Sequence, residues 1–210
     1  MAKLGKFSVF VGVLLLASGC ASGPSHSGAA ATIGSSVIKQ DVVTAQLNEV
    51  MPQIAQSQSQ SQTQPASPPP SAATIGQAIV NRLIIAELVD RAVIQLKIKI
   101  TDSQVQQFKN QVYSQYGQVP VENELATTQG LPASQVDSLF KTVLGEGLIG
   151  SAVMPNGTQQ QRSQATGQYL LMVGSSTKIE VAPRYGTWDP SHLASVGTDD
   201  SLSTLNVTGQ

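Results

Sequence analysis

The sequence predicts a mainly α-helical domain in which a small two-stranded β element joins an N-terminal strand to a late one. Thr74 to Lys99 is strongly apolar and much too long for a strand. Two further stretches, Thr101–Tyr116 and Pro132–Ile149, repeat apolar residues at helical spacing. Strand-like runs occur only near the two ends, around Thr32-Ile33 and over Thr177–Val181.

The chain opens with a leader over residues 1–19. Lys3 and Lys6 give it a positive start, and Phe7 to Ala17 follows as 11 residues broken only by Ser8 and Gly12. A membrane-spanning helix needs roughly 20 apolar residues, so this run fits the centre of a secretory signal instead. Leu16-Ala17-Ser18-Gly19-Cys20 then resembles the lipobox of bacterial lipoproteins, with small residues ahead of the chain's only cysteine. Ala17 stands three before the cysteine, where leucine is commonest. The resemblance implies cleavage before Cys20 and a diacylglycerol thioether on it. The protein would then be held by lipid on the extracytoplasmic face of the cell membrane, where two acyl chains anchor durably and one does not. Residues 20–31 are small and polar and read as a flexible tether.

The domain is expected over residues 32–190. A short strand around Thr32-Ile33 turns at Gly34-Ser35-Ser36. Asp41 to Ile54 follows as a helix, with Val42, Val43, Leu47, Val50, Met51 and Ile54 near one face. Residues 55–73 alternate Gln with Ser and then run Pro-Pro-Pro, a composition with no apolar area to bury, and are expected to be a disordered insertion. Thr74 to Lys99 is apolar on too many sides for a surface helix and belongs at the centre of the domain. Asn81, Arg82, Glu87, Asp90, Arg91 and Gln95 interrupt it and argue against a transmembrane span.

Thr101 with Gln104 forms a capping box, Val105 to Tyr116 makes one apolar stripe, and Gly117 is expected as a left-handed stop. A short helix over Val121–Thr128 ends at Gly130, and Pro132 opens the next helix. Gln159 to Val173 reads as the last helix. Ala182 to Pro190 is compact and irregular, and residues 191–210 form a polar tail expected to be disordered.

Composition narrows the function. The chain carries 12 Lys+Arg against 13 Asp+Glu; setting Lys3 and Lys6 aside leaves 10 against 13, a net −3. No basic surface is available for nucleic acid. The two histidines, His26 and His192, lie in segments expected to be flexible, so neither suits catalysis. A lipidated Cys20 and two distant histidines give no metal cluster. Glu122 with Glu124 and Asp199 with Asp200 read as solvated charge. Gly145-Glu146-Gly147 follows no strand and lacks the lysine of a phosphate loop. We therefore expect no enzyme activity, no cofactor and no metal.

Several phrases together carry a family resemblance. Leu83-Ile84-Ile85 and Leu88 lie in the long apolar helix. Ile98 to Val105 reads I-x-I-T-D-S-Q-V, and Gly130 to Leu144 reads G-L-P-x-S-Q-V-D-x-L-F-K-x-V-L. Over residues 32–182 this order resembles the N-terminal domain of SurA-type chaperones, shared in outline by the PrsA foldases and the chaperone part of trigger factor. Pro183-Arg184-Tyr185-Gly186-Thr187-Trp188 resembles the close of small standalone lipoproteins of this group. The resemblance implies that the first strand pairs with the late one around a helical body, and that the domain binds unfolded or newly exported polypeptide. The usual partner of such a domain is a parvulin prolyl isomerase. Only 29 residues follow Val181, so isomerase activity is the least favoured function.

The expected groove is lined by Val105, Phe108, Val112, Tyr113, Leu139 and Phe140, which serve equally well as core. Arg184, Tyr185 and Trp188 are candidates for an aromatic and cationic peptide contact, although Trp188 locking the last strand onto the helices is the reading we favour. The alternative function is a structural or assembly lipoprotein that binds one dedicated envelope protein.

Overall fold

The computed structural model describes residues 27–60 and 70–197. The expectations for the leader, Cys20, His26, residues 61–69 of the insertion, the Asp199-Asp200 pair and the rest of the tail from residue 198 lie outside them.

Ala29–Ile33 (β1) and Ser36–Lys39 (β2) form an antiparallel hairpin about Gly34 and Ser35. Ile179–Val181 (β3) pairs with the other side of β1, with Ala31 opposite Val181 and Ile33 opposite Ile179. The expected N-terminal to late pairing is present, but in three strands of order β2-β1-β3 rather than two. Residues expected as turn and lead-in fold back to give the extra strand. The boundary of the tether moves as well. Ala29, Ala30 and Ala31 are buried in β1, where small side chains let the strand lie close under a helix.

Six α-helices follow among the described residues. Gln40–Gln60 (α1) runs beyond the apolar pattern into the Gln/Ser segment, and Ala72–Gln95 (α2) begins at a Ser71 cap whose Oγ accepts from Thr74 N at 3.1 Å. Residues 55–60 and 72–73, expected to be disordered, are therefore helical. α2 has the length and apolarity to cross a membrane by composition alone. In this fold Ile79, Val80, Ile84, Leu88, Val89 and Ala92 are buried in the main core. Its polar side chains are used internally, as described below.

Asp102–Tyr116 (α3) starts at the expected capping box, with both reciprocal bonds of Thr101 and Gln104 present. Gly117 has φ +82° but an extended ψ of 143°, so it is not the left-handed stop expected; the chain turns directly into Gln118–Gln129 (α4). The left-handed cap is at Gly130, with φ 58° and ψ 35°. Pro132 precedes a single 3-10 turn, Ala133–Gln135, and then Val136–Val153 (α5). Gln159–Ser175 (α6) opens on a second capping box, Thr158 with Gln161.

Two glycines of α5 set its neighbours. A Cβ on Gly145 would lie 2.7 Å from Val89 Cγ1 on α2, and one on Gly150 would lie 2.7 Å from Thr166 Oγ1 and 2.9 Å from the Arg162 carbonyl of α6. Helices approach this closely only where a side chain is missing.

Thr187–Asp189 (β4) and Ala194–Val196 (β5) form a second hairpin. The tail is thus ordered to Gly197, because α2 binds it. Asn81 Oδ1 accepts from Ser195 N at 2.8 Å, and Gln77 Nε2 donates to Ser195 O at 2.8 Å. His192, expected to be unheld, bridges the turn, with Nδ1 at 2.7 Å from Asp189 Oδ2.

Candidate functional site

The six residues expected to line a groove do come together. Val105, Phe140, Val136 and Leu131 are the buried members of a second, smaller cluster, against which Phe108, Val112, Tyr113 and Leu139 pack half-buried. Phe140 sits between two edge-on rings, Phe108 at 5.6 Å and Tyr113 at 5.9 Å between centroids. Val105 and Phe140 are therefore interior, and of the six only the outer sides of Phe108, Val112, Tyr113 and Leu139 face solvent. Tyr116 and Val119, which flank the α3–α4 corner, are exposed.

Polar contacts frame this cluster. Tyr113 Oη donates to Glu122 Oε1 at 2.9 Å, joining α3 to α4. Burial, the bond to Glu122 and that carboxylate's charge push the Tyr113 phenol up to about 12. Asp137 at the start of α5 receives Lys109 Nζ and, at 3.0 Å, Gln106 Nε2, both from α3. The Lys109 bond holds its carboxyl below the usual range. The arrangement is an amphipathic shelf with an aromatic centre, and it presents no nucleophile paired to a base.

Arg184, Tyr185 and Trp188 do not share one surface. Tyr185 is buried in the main core beside Gly76 of α2, Arg184 is exposed, and Trp188 lies half-buried on β4 against the same core. The 3-10 turn Pro183–Tyr185 places successive side chains on different sides, which separates Tyr185 from Arg184.

Two arginines of α2 organise the molecule, and sequence reading noted them only as polar interruptions. Arg82 donates to Gln129 O at 3.1 Å and Gly130 O at 3.3 Å at the end of α4, and to Gln46 Oε1 of α1 at 2.5 Å. Burial lowers its guanidinium to about 10. Arg91 pairs with Glu87 at 2.9 Å and donates to Ile33 O at 2.7 Å, fixing the first hairpin. The Glu87/Arg91 spacing of four was the available signal. Among the described residues no three His, Cys, Asp or Glu side chains gather as a metal site would require.

Fold and site together define a helical domain closed by its own N-terminal strand, with an apolar shelf and no catalytic array among the described residues. A family model for the SurA-like N-terminal domain matches residues 3–118, more than half of the chain. The chain belongs to the SurA-like N-terminal domain family. The match stops at the α3–α4 corner, so α4 to β5 complete the domain beyond it. No curated protein and no solved structure matches the chain.

Proposed function

We propose that this protein is a membrane-anchored, extracytoplasmic lipoprotein that holds unfolded or newly exported polypeptides without catalysing a reaction. Membership of the SurA-like N-terminal domain family, a chaperone-type domain, carries the reading. The leader ending in Cys20 supports the anchor and the compartment. The shelf of Phe108, Val112 and Tyr113, extended by Tyr116 and Val119, supports the mode of binding. Half-exposed aromatic and aliphatic groups on a thinly packed arm give shallow contacts that adapt to many extended segments.

The test is light scattering from several unfolding exported proteins with equimolar lipoprotein present. The wild type is expected to suppress aggregation. The exposed substitutions Tyr116→Ser and Val119→Ser together should weaken suppression severalfold at unchanged thermal midpoint. Suppression equal to the wild type in that variant would remove the shelf as the binding surface; none in the wild type would remove the chaperone reading.

A further inference from the structure

We infer that the face made by the outer side of β2 and the first turns of α1 rests on the lipid bilayer, with Val37 and Val42 at the boundary between headgroups and acyl chains. This rests on the lipid-anchor reading above and adds which side of the domain meets the membrane.

An open, mostly apolar groove of about 940 Å³ lies at this end, lined among others by Ser27, Gly28, Ala29, Val37, Lys39 and Asp41. On β2 the exposed positions are Val37 and Lys39, while Ser36 and Ile38 are half-buried. Val42, expected on the apolar face of α1 with Val43 and Val50, lies instead on its flank and is exposed, so two β-branched apolar side chains are open to solvent within six residues. Asp41 Oδ1 is occupied by Val42 N at 2.8 Å. Lys39 makes no ion pair among the described residues and suits the phosphates of lipid headgroups. Exposed apolar side chains near a cation are the pattern of an interfacial contact.

The length of chain outside the structure selects the bilayer as the occupant. Ser27 and Gly28 line the groove themselves, and Cys20 is only seven residues before Ser27. Seven residues reach at most about 25 Å when fully extended. A domain of this size has a radius of gyration of about 15 Å and is therefore about 40 Å across. Those seven residues span less than the width of the domain, so lipid on Cys20 holds this end near the headgroups.

The experiment uses the full lipoprotein in phosphatidylcholine/phosphatidylglycerol vesicles. Acylation blocks Cys20, so Val37→Cys, Val42→Cys and Val119→Cys each offer one thiol for an environment-sensitive fluorophore. Quenching by spin-labelled lipid is then read at each position. At least threefold stronger quenching at positions 37 and 42 than at 119 is expected. Equal quenching, or stronger quenching at 119, with an intact mass showing acylated Cys20, overturns the face assignment and leaves the anchor standing. A mass showing free Cys20 overturns the anchor, and this inference with it.

Discussion

Nine of the 24 residues of α2 are buried, against one of 15 in α3 and one of 12 in α4. Both regions are amphipathic helix, yet one is enclosed by the sheet, α1, α5 and α6, while the other is held to the body by one small cluster, by Ala126 of α4 in the main core and by a few polar contacts. The free energy of opening is set by how much apolar area and how many internal bonds an element must give up. The body around α2 should therefore open only with global unfolding, and the α3–α4 arm well before it. A surface that must fit many partners belongs on the second kind of element.

The largest effect is expected from Leu88→Ala at the centre of α2. Leu88 is fully buried, and the cavity should cost about 3–5 kcal/mol. Denaturant unfolding should show one transition moved for every probe. Phe140→Ala should cost about 3 kcal/mol, but locally: hydrogen exchange should accelerate in α3 and α4 while amides of α2 stay protected. Equal loss of protection in both would show that arm and body unfold as one unit.

Arg82→Met tests the tie between the two. It leaves the carbonyls of Gln129 and Gly130 and the amide of Gln46 without their donor, at a cost of about 1–3 kcal/mol. Exchange should quicken most at the end of α4. The smallest effect concerns pH. Tyr113 has its phenol raised from 10.0 to about 12, so the neutral form is favoured in the folded arm. Its contribution is complete below pH 10 and is lost as the pH rises towards 12. Ultraviolet titration of the four tyrosines should show an ionisation near pH 12 that Tyr113→Phe removes. Its persistence in that variant would place the buried phenol elsewhere.

Much of the arm was legible before folding. The Thr101/Gln104 box and the Val105 to Tyr116 stripe are local signals, and helix α3 begins and ends where they place it. The Phe108–Tyr113–Phe140 grouping follows from two helical stripes meeting. What local pattern missed was decided by partners far away in the chain. Ala29 to Ala31 look like a flexible tether because alanine is small and carries no strand signal, yet β3 and α2 make them a buried strand. Ser191 to Val196 look like a tail because they are polar, yet Gln77 and Asn81 of α2 supply the hydrogen bonds that order β5. Tyr185 looked like a contact residue, and Gly76 opens the space that buries it.

The sequence by itself determined the mainly helical class, the capping of α3, the central place of α2 and the family resemblance, because periodicity and caps act within a few turns of one chain segment. Only the tertiary structure decided that the sheet has three strands, that the tail closes as a hairpin, that Arg82 and Arg91 tie α2 to α1, α4 and the first hairpin, and which groove residues remain open to solvent. Each of these depends on which buried backbone groups need a partner and which helices approach closely, and those demands arise only once distant segments meet.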